Sequence, residues 1–309
     1  MTESTGGRKW FRCACFGCLG IIVVIIVTLL VLLMVARMKV RSEELEEPVL
    51  TPDIPALEQP LDQEGAEGEQ IAVAGKGQVI LDLKRGAFFI EPAAPGEPLR
   101  LEARYDRKSC DLQESLEEHS EHGWTYRVSF SCSEYSFTTM LKQLLGGTQP
   151  EVRIYLPADR PMALDLDVSQ GGSIVELGGL WLTTAELDTE MGGIELNIEQ
   201  PLKEPMKEMK INFTMGGGEL RYIGNASPAR LDVDFSMGGM ELDLRGLWLQ
   251  DSDISIDGRM GGGAVIVPND VLVMGVDAGR LTAGEAAEIK PPTLRITSSI
   301  DQGELEFVD

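Results

Sequence analysis

Between Ser169 and Gly262 one phrase returns five times: an alternating apolar and polar run, a residue that is methionine in four copies, a glycine pair, and a second alternating run. The pairs are Gly171-Gly172, Gly192-Gly193, Gly216-Gly217, Gly238-Gly239 and Gly261-Gly262, separated by steps of 21, 24, 22 and 23 residues. A near-constant period of this size marks architectures in which one supersecondary unit stacks on its neighbours. In the fourth copy Leu231, Val233, Phe235 and Met237 alternate with Asp232, Asp234 and Ser236; past the glycines, Met240, Leu242 and Leu244 alternate with Glu241, Asp243 and Arg245. Alternation of period two is the signature of a strand with one buried face. Ile211, Phe213 and Met215 repeat the pattern in the third copy, Ile254 and Ile256 in the fifth, and Leu294-Arg295-Ile296 leading to Glu304-Leu305-Glu306-Phe307 forms a partial sixth. A lone unit cannot hide its apolar face, whereas stacked units share one core. The sequence therefore predicts an all-β fold, a β-solenoid of repeats of about 22 residues, each a strand, a glycine corner and a second strand.

Glycine suits a corner where successive coils stack closely and positive φ is required. Met191, Met215, Met237 and Met260, just before the pairs, are expected to fill the corner of the core, since an unbranched thioether adapts to irregular gaps. The rival reading, a thioether stripe for copper(I), needs the sulfurs to converge. Outward positions are expected to carry Asp165, Asp167, Glu186, Asp188, Glu195, Asp232, Asp234, Glu241 and Asp243. Such rows can gather calcium between coils, but the glycine-rich nonapeptide of calcium-loaded β-rolls is absent and solvated acidic faces are common.

The N-terminal part reads differently. Leu19–Ala36 has neither charge nor proline and spans roughly 27 Å as a helix, which predicts a transmembrane helix over 16–37 after a cytoplasmic head, 1–15. Ser42–Gln70 holds ten acidic residues, four prolines and no basic residue, so 38–74 is expected to be a disordered linker. Residues 75–160 are expected to cap the β-domain, with Lys84-Arg85-Gly86 as a turn and a helix-like stretch near Phe137–Leu145, and 161–309 to form the repeats. Leu99–Tyr105 and Trp124–Phe130 read as strands; paired as a hairpin, they would let Cys110 and Cys132 close a disulfide loop of about 20 residues in an oxidising compartment. Cys13, Cys15 and Cys18 read as reduced thiols at a helix end, metal binding and lipid attachment being the alternatives.

Formal net charge is −23, with 50 acidic against 27 basic residues, which repels phosphate and excludes a nucleic-acid partner. The only histidines, His119 and His122, lie in an acidic stretch read as a solvated loop, and no Gly-x-Ser-x-Gly elbow or phosphate-binding glycine loop occurs. No catalytic, cofactor or metal residues are assigned. Trp181 and Trp248 are expected to pack in the core or at its rim, the alternative being sugar-stacking platforms of a polysaccharide-active β-helix. End-to-end assembly into a structural scaffold is a further alternative.

The run Met237 to Gly246, then Asp253-Ile-Ser-Ile-Asp257 and Met260 to Pro268, resembles the C-terminal domain of LiaF-like cell-wall-active antibiotic response proteins. The wider group comprises the toast-rack, DUF4097-like adhesin β-solenoids. The resemblance covers about Val152–Asp309 and is tight over Phe235–Pro268. It implies a non-enzymatic bacterial envelope protein. For the predicted inner-membrane helix, Arg8, Lys9 and Arg12 are matched by Arg37, Lys39 and Arg41, so charge alone gives a tie; the short head and the distal cysteine pair favour a cytoplasmic N-terminus, the alternative being the opposite topology. The C-terminal domain would then be periplasmic or extracellular and bind a protein or envelope component. LiaF-like proteins restrain a membrane sensor kinase, but this chain differs in its single predicted span and long acidic tether.

Overall fold

The computed structural model describes residues 76–119, 123–133, 149–275 and 291–308. The predicted transmembrane helix, acidic linker, Cys13, Cys15, Cys18, His122 and the helix-like stretch near Phe137–Leu145 lie outside them. No helix among the described residues is long and apolar enough to cross a membrane.

The described chain is all-β. Its strands are β1 (Gly77–Pro92), β2 (Arg100–Arg104), β3 (Cys110–His119), β4 (Gly123–Cys132), β5 (Glu151–Leu156), β6 (Met162–Glu176), β7 (Leu182–Asn197), β8 (Glu208–Arg221), β9 (Arg230–Asp243), β10 (Ser252–Ile266), β11 (Leu272–Met274) and β12 (Thr293–Val308). One twelve-stranded sheet contains them all, ordered β11-β12-β10-β9-β8-β7-β6-β1-β4-β3, with β5 beside β1 and β2 beside β5. From β6 to β10, each strand pairs in parallel with the next in the chain. Each repeat is one long strand that bends at its glycines, rather than two strands separated by a corner. The register aligns Gly86, Gly171, Gly192, Gly216, Gly238, Gly261 and Gly303 in one row across seven strands.

Two members of that row lie outside the five glycine pairs: Gly86, and Gly303 in the partial sixth copy, where Glu304 stands in the second glycine's place. Gly86 belongs to β1, so Lys84-Arg85-Gly86 is not a turn; it is an irregularity inside a continuous strand, with Arg85 at φ 66°. Gly303 belongs to β12. Long insertions separate both from their neighbours in the row, which hides them from a search for a period of twenty-odd residues.

The expected hairpin also forms from different partners. Leu99–Tyr105 does not pair with Trp124–Phe130; β2 runs antiparallel to β5, and β3 runs antiparallel to β4. Glu117, Glu118 and His119, expected in a loop, close β3. Cys110 stands opposite Cys132 in this hairpin, and the two form a disulfide across a sequence separation of 22.

The core is built from the inward positions of every long strand, such as Leu166, Leu187, Ile211, Val233 and Ile256, which occupy one register row and are all buried. Phe213 and Phe235 stack with centroids 5.6 Å apart, while Phe130 meets Phe88 and Tyr105 edge-on. Trp248 is buried and its Nε1 donates to Leu244 O at 2.7 Å, so it plugs the core; Trp181 is half-buried. Between strands, Asn225 joins three connections: its amide nitrogen donates to Ile198 O at 2.7 Å and to Glu199 O, and its Oδ1 accepts from Leu247 N. Gln250 likewise donates to Met206 O and Ser227 O. These side chains tie successive connections together through their backbone carbonyls.

The methionines are not core. Met191, Met215, Met237 and Met260 are 37, 40, 39 and 43% exposed. At the bend, the buried positions on either side are five residues apart: Val168 and Ser173, Thr189 and Ile194, Phe213 and Gly218, Phe235 and Met240. An odd interval shifts the phase of the alternation, so a residue two places after a buried one, inward in a flat strand, lies outside.

Candidate functional site

The two glycines of each pair do different work. The first has φ of 142° at Gly171, 143° at Gly192, 145° at Gly216, 148° at Gly238 and 134° at Gly261. A Cβ there would press into the carbonyl of the glycine on the preceding strand, well inside the 3.0 Å that real Cβ atoms respect. Only glycine combines this dihedral with this approach. The second is free of both demands in four copies. A Cβ on Gly172 would meet nothing within 4 Å, and on Gly193, Gly217 or Gly239 only a carbonyl oxygen at 3.5–3.8 Å; Gly262 is the crowded exception. Its register row also holds Ala87 and Glu304, so side chains do occur there.

Leaving that second row bare opens a groove of about 500 Å³. Gly172, Gly193, Gly217 and Gly239 line it, with Phe89 and Ile174 toward one end and Glu195, Glu219 and Glu241 along one side. The three glutamates share one register row. Arg221 Nη1 reaches Glu195 at 2.9 Å and its guanidinium also pairs with Glu219, which holds Arg221 above its ordinary pKa. Arg153 lies 4.0 Å over the Phe89 ring and pairs with Glu151 and Glu91. A row of carboxylates beside bare backbone admits close approach by an extended ligand and favours positive charge on it.

A second hollow of about 400 Å³ lies on the other arm of the strands, lined by Asn212, Asp234, Asp257, Ser299 and Asp301 among others. Here Asp82, Asp167, Asp188, Asn212, Asp234 and Asp257 share one row. Partial burial and then the charges of Asp82, Glu190 and Asp188 raise Asp167 above the ordinary 3.8. Burial, Asp257 and Asp232 do the same to Asp234. Asn212 interrupts the row, its Nδ2 donating to Asp188 Oδ1 at 2.6 Å. Of the acids expected outside, Asp243 is buried and held by Arg245 at 2.7 Å. Among the described residues no three His, Cys, Asp or Glu side chains are grouped to hold a metal ion.

Elsewhere Tyr126 is buried and donates to Glu114 Oε1 at 2.6 Å; burial raises both groups above their ordinary pKa. Sequence reasoning passed over Arg221, Phe89 and Asn225. For Asn225 the available signal was its position between two repeats, in a segment bounded by glycine and proline.

No protein-family model matches the chain, and no curated protein matches its sequence. Among solved structures it is similar to a candidate cell adhesion protein from Clostridium sporogenes ATCC 15579, at 12% identity and a TM-score of 0.34, over 76% of this chain and 93% of that one. It is also similar to a candidate adhesin from Parabacteroides distasonis ATCC 8503, at 11% identity and a TM-score of 0.26, over 77% and 94% of the respective chains. At these values neither likeness carries an argument about function.

Proposed function

We propose that the chain is a membrane-anchored extracytoplasmic β-solenoid that acts as a non-enzymatic, adhesin-like interaction module of the bacterial envelope. The observation that supports this most is the groove over Gly172, Gly193, Gly217 and Gly239, which crosses successive strands and is flanked by a glutamate row. A shallow trough of this kind suits an extended segment of a protein or envelope polymer running along the stack, rather than a small substrate held in a closed pocket. Its acidic side favours a partner that presents basic groups. Envelope-stress sensing is the finer role to which the LiaF-like resemblance points, with the acidic tether holding the module off the membrane.

The test fills the groove without disturbing the fold. Gly193→Leu and Gly217→Leu add side chains where a Cβ has ordinary van der Waals room. In cells carrying the full chain with a photo-crosslinker at Glu219, a specific adduct should form, and the double substitution should reduce it at least tenfold with thermal unfolding unchanged. An adduct that survives the filled groove would refute this assignment. Protease cleavage of the β-domain in intact spheroplasts tests the topology separately.

A further inference from the structure

The four methionines that precede the glycine pairs occupy one register row: Met191 on β7, Met215 on β8, Met237 on β9 and Met260 on β10. Gln170 on β6 and Gln302 on β12 extend the same row at either end. All four thioethers are on unbranched side chains at the outside of the bend, between 37 and 43% exposed. The core on both sides of the bend is filled by other residues, among them Thr189 and Ile194, Phe213 and Gly218, and Phe235 and Met240. Four in-register apolar side chains left exposed on consecutive strands constitute a surface feature that calls for a ligand or partner.

We propose that this row is a binding site for a soft monovalent cation, copper(I), held between thioethers of adjacent strands. Thioether sulfur is a soft ligand that selects Cu(I) over Zn²⁺, Ca²⁺ or Mg²⁺. Neighbouring parallel strands lie about 4.8 Å apart, which brings equivalent side chains on adjacent strands to nearly that separation. Taking the zinc–sulfur bond of about 2.3 Å as the guide for a first-row ion on sulfur, two such bonds span about 4.6 Å in a linear S–M–S arrangement. Strand spacing and ligation length therefore agree without distortion of the backbone, and three flexible torsions per side chain take up the remainder. The convergence that a thioether site demands is supplied by register. Met191 with Met215, and Met237 with Met260, make two such pairs, so the row holds up to two ions without sharing a sulfur. The strongly negative chain raises the local concentration of any cation, but the thioethers themselves do not titrate, so affinity through them is insensitive to pH. No electron transfer is involved: the ion is bound and released as Cu(I).

The test uses the full chain in detergent, with Cys13, Cys15 and Cys18 replaced by serine so that thiolates do not compete. The probe is Ag(I), a redox-inert soft cation, titrated against methionine methyl-¹³C resonances and repeated anaerobically with Cu(I). Four of the thirteen methionine signals, assigned by single Met→Leu variants, should move and saturate at no more than two ions per chain, equally at pH 5 and pH 7.5. Met215→Leu with Met237→Leu leaves only sulfurs about 14 Å apart, three strand spacings, and should weaken binding at least a hundredfold. Met191→Leu with Met260→Leu keeps the central pair and should still bind one ion. Circular dichroism and thermal unfolding should match the parent in both double variants, because the exchanged side chains are partly exposed. The proposal is overturned if the four signals stay still, if affinity collapses at pH 5 as carboxylate ligation would require, or if the two double variants lose binding equally.

Discussion

Replacing Gly238 by alanine isolates what the glycine row contributes, because Gly239 next to it provides an internal control. At Gly238 the backbone sits at φ 148°, and the new Cβ would lie 2.8 Å from the carbonyl carbon of Gly216 and closer still to its oxygen. Holding a residue with a side chain in that region costs about 1–3 kcal/mol. Relief by moving the strand breaks parallel ladder bonds to β8, at about 1 kcal/mol net for each bond lost. Losing two such bonds brings the total to about 3–5 kcal/mol. At Gly239, φ is not in the positive region and the nearest atom to the added Cβ is Gly262 O at 3.8 Å. Alanine there is expected to be neutral or to stabilise by up to about 1 kcal/mol, since glycine in a strand carries an entropic cost. Urea denaturation of the full chain, followed by near-ultraviolet circular dichroism, should place the Gly238→Ala midpoint well below the parent and the Gly239→Ala midpoint at or above it, with m unchanged. In thermal scans, a loss of 3–5 kcal/mol corresponds to roughly 6–20 °C for a domain of this size. A Gly238→Ala variant within about 0.5 kcal/mol of the parent, or a Gly239→Ala variant equally damaged, would refute the distinction between the two positions.

Three further outcomes follow from the geometry. Asp167 and Asp234 have raised pKa values in the folded chain, so the folded state binds more protons and stability falls as pH rises above the ordinary 3.8. Melting temperature should accordingly rise as pH is lowered from neutrality through the folded-state pKa values of these two groups, and Asp234→Asn should add about 0.2–1 kcal/mol at pH 7, as expected for removing one cross-strand repulsion, and flatten that rise; an Asp234→Asn variant that melts lower than the parent at pH 7 contradicts the carboxylate row as a source of strain. Cys110→Ser with Cys132→Ser, or reduction of the parent, should cost about 3 kcal/mol in urea for a loop of this length, and an unchanged midpoint would mean the hairpin is held by its strands alone. Trp248→Phe removes the bond to Leu244 O in a buried setting and should cost about 1–3 kcal/mol, read as a lowered unfolding midpoint.

Much of the architecture was legible locally. Alternation at Leu231, Val233 and Phe235, repeated every twenty-odd residues with a glycine pair, is a backbone-scale signal that needs no knowledge of neighbours, and it predicts strands, their buried face and their stacking. Three things were decided only by tertiary structure. Which strands pair across long separations, as β2 with β5 and β1 with β6, depends on where intervening segments return, and composition does not encode that. Whether Gly86 and Gly303 join the row depends on register across insertions that erase the period. The outward placement of Met191, Met215, Met237 and Met260 depends on the bend itself. A positive-φ glycine shifts the phase of alternation by one residue, so the same period-two pattern that marks Phe213 and Phe235 as core turns the methionine two places later out to solvent.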